Sequence, residues 1–502
     1  MRVKVLAPVI LLITLCSACS SQRNCGAIAF SQIAVEYAAL GQYDQALQLT
    51  QKIDRTLLNS HVLSQIALQY LKAGYKQQAS QVLSQAVEVA NKIPSLTDKT
   101  TRLQEIALQY AKVGDSTRGA EILAQTLQLV PKIKEPEDQA STLQDIAIQY
   151  AKLGYPERAI QLLSQTLQVA ETVESPAIKD IVLHRTAIQY AKLGDYEQAL
   201  QITNSIWEEF PKGSALANIV IEYTKVGKYD QAKQLTDTIE VDVAKARALI
   251  AIAKKPEDYD QALQVALQVE KEREQVSLLT NIASQYIKAG RKEQAAEVLA
   301  QLIQLANTAE DTDSQASQLA NIASLYAKAG QIDRADTLYS QSFKVAQTLE
   351  KAEEKTRVLL NIIRQQLEVE QYNQALKVAQ SLENVDDKVQ AFTTIADKYI
   401  KVGQESRATE VLVRAFKVTQ SIENTEQKAK ALASIASSYA TIKQFNRALQ
   451  IAATIEPIPN ESPEAEALAT IAGNYFKDGQ KNKAINILSQ AVEAAKTTKC
   501  KG

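Results

Sequence analysis

Four asparagines and a row of lysines are the residues whose type and spacing point most clearly to recognition chemistry. Asn218, Asn281, Asn321 and Asn361 each stand five residues before a recurring Tyr or the residue that replaces it. Two residues after that Tyr stand Lys225, Lys288 and Lys328, part of a wider set that includes Lys72, Lys112, Lys152, Lys192, Lys255, Lys401 and Lys477. A separation of seven places Asn281 and Lys288 on one face of a helix. A carboxamide both donates to and accepts from a peptide backbone, and an ammonium row attracts acidic side chains or a terminal carboxylate. The lysines also have a plainer explanation, because a cation in the last turn of a helix is favoured by the macrodipole. Asn is a mediocre helix former, so its recurrence asks for more than propensity. Gln65, Glu105, Asp145 and Arg185 take the Asn position in earlier units, which leaves the N-terminal third without the row.

Other chemistry is sparse. The chain has two His, His61 and His184, without Cys or a second His at ligand spacing, so both read as surface or groove residues. Cys16 and Cys19 form a C-x-x-C with no second pair to complete a zinc site. Phosphate-binding, zincin, nucleophile-elbow and EF-hand motifs do not occur. A non-catalytic protein without cofactor or metal is expected. Trp207, before Phe210, reads as a packing residue on a second helix. The 56 Lys+Arg against 57 Asp+Glu are interleaved, with no basic stripe for nucleic acid. Only 15 Gly and 11 Pro in 502 residues, with 5% aromatic content, favour an all-α chain.

The elements that must position the Asn and Lys rows come from self-comparison. Ile146-Ala-Ile-Gln-Tyr-Ala-Lys-Leu-Gly154 recurs around Tyr70 and Tyr110, and weaker copies centre on Tyr37, Tyr190, Tyr223, Tyr286, Tyr326, Tyr399, Tyr439 and Tyr475. Nine residues after each stands a small residue, from Ala46 to Ala484. Ala253 and Gln366 replace the Tyr in two degenerate units, giving thirteen units over residues 28–497. Successive small residues are 30 to 40 apart, mostly 33 or 40, and that difference of seven is nearly two helical turns. Leu143, Ile146, Ala147 and Tyr150 share one face of a first helix, Gly154 ends it and Pro156 starts the second.

This unit resembles the tetratricopeptide repeat (TPR), on Ala147, Tyr150, Gly154 and Ala159, with Pro131 and Pro211 at the unit-closing position. It departs from that pattern in lacking the Trp of the first helix and in its 40-residue units. The resemblance implies an all-α, right-handed superhelical solenoid of about thirteen helix-turn-helix repeats, with first helices lining the concave groove. It also implies that Asn218, Asn281, Asn321 and Asn361 clamp extended peptide. Twenty-six helices at roughly 9 Å give a contour on the order of 230 Å. On that expectation Cys25 and Cys500 lie at distant ends and pair only between molecules. The seventh and tenth units are candidate bends or weak points.

Residues 1–18 carry Arg2 and Lys4, an apolar stretch from Val5 to Leu15 and then small residues, the layout of a secretory signal. That stretch is short of the ~20 residues a spanning helix needs. Ala18-Cys19 resembles a bacterial lipobox, implying a lipid on Cys19, although Cys16 stands where an aliphatic residue is usual. Secretion with simple cleavage, or an uncleaved anchor, also fits. Residues 19–27 then form a short tether and 498–502 a tail. The expected role is an envelope-located scaffold that binds proteins or extended peptides and contacts the membrane only through its N-terminus. A passive spacer, or an accessory subunit of an envelope enzyme or secretion assembly, remains open.

Overall fold

The structure is a computed structural model that describes residues 26–255 and 258–498. Cys16, Cys19, Cys25 and Cys500 lie outside the described residues. Twenty-six α-helices are present among those described, arranged as thirteen antiparallel pairs in an all-α repeat solenoid. A short 3-10 turn, Val130–Lys132, follows the sixth of them. No described helix is long and apolar enough to cross a membrane.

The fourth pair shows why these residues fold so. In α7 (Pro136–Lys152), Leu143, Ile146, Ala147 and Tyr150 fall on one stripe and are buried. In α8 (Pro156–Ala170), Ala159, Leu162, Leu163, Thr166 and Ala170 meet them, and Pro156 occupies the first helical position. Small residues mark the crossing. Each of the thirteen positions from Ala46 to Ala484 is buried, and at Gly119 even a Cβ would come within 2.6 Å of the Ala107 carbonyl oxygen. Neighbouring units are joined by aromatic contact, as where Tyr43 stacks on Tyr70 with ring centroids 3.7 Å apart.

First helices end in a left-handed residue four positions after the Tyr. Ten glycines adopt positive φ, from Gly41 to Gly479. Glu370 (φ 60°) and Lys443 (φ 59°) hold the same place without being glycine, so the backbone dictates the conformation and the residue type only sets its cost.

Each first helix packs against the first helix of the next unit, whereas second helices make no comparable contact with one another. First helices therefore form the tight inner wall and second helices fan outward. The course of this wall departs from the expected open solenoid. α1 (Ala27–Ala39) packs on both α25 (Pro463–Lys477) and α26 (Lys481–Lys496), the pair that ends the chain. That junction repeats the ordinary one, in which a first helix rests on both helices of the preceding unit. Thirteen first-helix contacts thus run in an unbroken circle. With axes roughly 9–10 Å apart, the inner circumference is about 120 Å and the opening about 30 Å wide once helix radii are removed.

The seam has specific chemistry. Tyr37 Oη lies 3.4 Å from Ser489 Oγ, reproducing the 2.8 Å pairing of Tyr110 with Ser84 at an internal junction. Gln32 Nε2 donates to Thr470 Oγ1 (2.9 Å) and to the Glu466 carbonyl (3.3 Å). The Glu36 carboxylate lies over Gly473, where a Cβ would approach its Oε2 to 2.7 Å. The small residues Ala465, Ala469, Ala472 and Gly473 leave room for α1 to approach. Apolar ends that an open solenoid would expose, including Phe30, Ile33, Ala34, Ile471 and Leu488, are buried.

Two outcomes are expected. Burial holds the Glu36 carboxyl above its ordinary range, with Lys477 pulling the other way. The charged form is thus disfavoured in the closed ring, and the stability this group contributes is lost as pH rises through its raised pKa. Glu36→Gln should reduce the loss in thermal midpoint between about pH 4, below the ordinary carboxyl range, and about pH 8; an unchanged difference would show that this carboxyl is not buried in the seam. Glu370→Gly should raise unfolding free energy by about 1 kcal/mol in denaturant titration, because only Gly adopts this φ without Cβ strain.

Candidate functional site

The inner wall carries two open recesses between adjacent first helices. The larger, about 750 Å³, lies among α17 (Thr312–Lys328), α19 (Ala352–Glu368) and the start of α21 (Val385–Lys401). It is lined by Asn321, Asn361, Arg357, Arg364, Leu360 and Asp387, with further small and polar side chains. The smaller, about 390 Å³, lies between α3 (Thr56–Lys72) and α5 (Leu96–Val113), at the same level of the repeat.

In the larger recess the amides of two adjacent units converge. Asn361 Nδ2 lies 3.5 Å from both Asn321 Oδ1 and the Ser317 carbonyl oxygen. Arg364 Nη2 donates to Asn361 Oδ1 at 2.6 Å and so fixes the orientation of that amide. Arg357 forms an ion pair with Asp313 across the unit boundary. Burial, reinforced by Asp386, pushes the Asp387 carboxyl upward. The wall thus combines oriented carboxamides, two guanidinium groups and an apolar floor at Leu360, a donor-rich surface suited to an extended chain with acidic character.

The predicted Asn row is only partly assembled. Asn218 turns back to donate to the Ser214 carbonyl of its own helix at 2.7 Å. Asn281 is exposed and accepts from Gln285 Nε2, also on its own helix, at 3.2 Å. Between their units lies the degenerate seventh, whose first helix α13 (Asp242–Ile252) is short and presents Ala248 at the equivalent position. The lysines stand apart from the recess. Lys225, Lys288 and Lys328 are exposed in the last turns of their helices, two turns or about 10 Å along the axis from the Asn level. Lys225 pairs with Glu222 (2.8 Å) and Lys328 with Glu368 of the next unit (3.2 Å). Their place at the helix ends accords with the dipole role.

The smaller recess holds an arginine that spacing did not single out. Arg102 is only 4% exposed, yet it lies on the inner wall. Its guanidinium donates to Ser60 Oγ (3.1 Å), the Ser60 carbonyl (3.2 Å) and Ser64 Oγ (2.5 Å), and it pairs with Glu105. His61 Nδ1 stands 3.4 Å away, and burial together with this cation lowers the imidazole pKa. His184 sits against Ser214 Oγ at 3.2 Å. Arg357 and Arg364 were also missed. Their signal was that they put arginines nine and two residues before Gln366, one on each side of Asn361. No group of three or more His, Cys, Asp or Glu among the described residues could hold a metal ion.

Trp207 requires a correction. It lies in the loop between α10 (Tyr196–Asn204) and α11 (Glu209–Lys225), not on a second helix, and is 87% exposed. Asp180 accepts from the backbone N–H groups of Trp207 (3.3 Å) and Glu208 (2.8 Å), which pins this loop with the indole outward.

No family model matches the chain, and no curated protein matches it. Solved structures similar to it include Ton1535 from Thermococcus onnurineus NA1, at 14% identity over 81% of this chain and 99% of that one, with a TM-score of 0.29. The pentatricopeptide repeat protein PPR10 from maize is similar at 13% identity over 91% and 67%, with a TM-score of 0.34. Naa15/Naa10 bound to HypK-THB aligns at 14% identity over 94% and 76%, with a TM-score of 0.33. The chain is a helical-repeat protein; these distant likenesses carry nothing about its partner.

Proposed function

We propose that the chain is a non-catalytic TPR-type scaffold of the cell envelope, exported by its N-terminal segment and tethered through a lipid on Cys19, that holds an extended peptide segment of a partner protein on its inner wall. The observation that carries the binding role is the convergence of Asn321 and Asn361 in adjacent units beside Arg364. Side-chain amides repeated from one unit to the next match the repeating N–H and C=O groups of an extended backbone. Arg357 and Arg364 favour a segment with carboxylate side chains. An opening about 30 Å wide admits such a segment without parting the seam.

Panning a random peptide display library against the full chain tests this reading. Acidic, extended sequences should be enriched, and Asn321→Ala with Asn361→Ala should weaken the best binder about tenfold or more. Two net hydrogen bonds of about 1 kcal/mol each set that scale. Thermal unfolding of the double variant should stay nearly unchanged. Equal binding by the variant would remove the amides from the site, and no enrichment at all would favour a passive spacer.

A further inference from the structure

We propose that the lysine row forms an electrostatic collar around one mouth of the ring, which draws acidic segments into the opening. This deepens the peptide-binding reading and rests on it. In the closed ring the first helices run side by side in one direction, so their C-termini gather at one mouth and their N-termini at the other. Ten of the thirteen units carry a Lys two residues after the Tyr position. Lys72, Lys152, Lys192 and Lys288 each end a first helix and are exposed. This position shares the inward face of the Asn level. Lys328 Nζ meets Oε2 of Glu368, which holds the position in the tenth unit, at 3.2 Å, so side chains here reach one another along the inner wall. With first helices roughly 9–10 Å apart, each ammonium stands about one Debye length from the next, and their fields overlap around the opening.

The surroundings give this collar a direction. Second helices start at the same mouth but fan outward, and their first turns carry Asp44, Glu157, Asp230 and Asp333. First turns of the first helices, at the far mouth, carry Glu137, Glu209, Glu272 and Glu353. Each charge sits where its own helix dipole favours it. Closure turns these local preferences into one field, attractive to an anion at the inner rim and repulsive both outside the rim and at the opposite mouth. Low-dielectric walls focus such a field and raise the rate of encounter. Arg364 lies one helical turn inside the level of Glu368, so the attraction continues from the rim to the recess of Asn321 and Asn361. An acidic segment therefore enters by the lysine mouth.

Stopped-flow fluorescence with the full chain and a rhodamine-labelled peptide of Asp-Ser repeats separates association from dissociation. Lys112→Gln, Lys192→Gln and Lys288→Gln together should slow association about threefold or more at low ionic strength and leave the dissociation rate unchanged. The difference should vanish near 1 M salt, where the Debye length is about 3 Å. Lys92, Lys132 and Lys134 lie between a second helix and the next first helix, at the far mouth. Their joint change to Gln removes the same charge and should leave association nearly unchanged. Asn321→Ala with Asn361→Ala should instead raise the dissociation rate, which separates the amide site from the collar. A purely dipolar role would lower the thermal midpoint of the collar variant without touching association, and that result would overturn the proposal. Equal slowing by the far-mouth variant would overturn it too, because net charge alone would then account for the rate. No binding of the peptide by the wild-type chain would overturn both readings.

Discussion

A unit of two short helices has more apolar surface than it can cover by itself, and this constraint governs the molecule. Tyr150, Ile146 and Leu163 belong to one unit whose helices pack on the units to either side, and all three are buried. In an open array the first and last units would each leave one such face in water, and terminal units with polar outer surfaces normally relieve that cost. Phe30, Ile33 and Ala34 at one end, and Leu468, Ile471 and Leu488 at the other, are as apolar as any interior position. Packing them on each other removes both exposed faces at once. The Tyr37–Ser489 pairing, copying Tyr110–Ser84, shows that the last contact is made with the same parts as the others.

Closure changes what the inner wall is. A groove open at both ends becomes the lining of a ring, reached along its axis. The recess at Asn321 and Asn361 lies on that lining, between units whose mutual position is held by the whole circle. Its Asn361 amide is oriented by Arg364 and its edge is tied across the unit boundary by Arg357 and Asp313. The two degenerate units contribute differently from one another. The tenth keeps the path continuous with Glu370 in the left-handed conformation and Gln366 buried where Tyr usually sits, and it supplies both arginines of the recess. The seventh, with its short α13, is where the Asn row is broken.

Much of this was legible in the residues. The Tyr and the small residue nine positions later placed the helix pairs, and the Gly four after the Tyr placed the first-helix ends. Those are local properties, decided by periodicity and by φ. The path of the array is not local. A small rotation at each junction, set by side-chain volumes at the crossing, accumulates thirteen times before the ends meet, and no single unit reveals the sum. The apolar residues Phe30 and Ile471 on the outermost described units were the available clue. The Asn positions were readable as one face, but not their hydrogen bonds: Asn218 spends its amide on Ser214, while Asn361 reaches the next helix. Trp207 was misplaced because Asp180, twenty-seven residues earlier, holds its loop outward, and nothing near Trp207 signals that.

Small-angle X-ray scattering of the full chain in dilute solution tests the closure most directly. A ring of thirteen helix pairs has a maximum dimension of about 80 Å, whereas an uncoiled array that keeps the same first-helix spacing spans about 120 Å or more. The closed structure requires a monomer with the smaller dimension and a pair-distance distribution depleted at its centre. A monomer extending well beyond 100 Å, or a head-to-tail series growing with concentration, would contradict the seam between α1 and α25–α26.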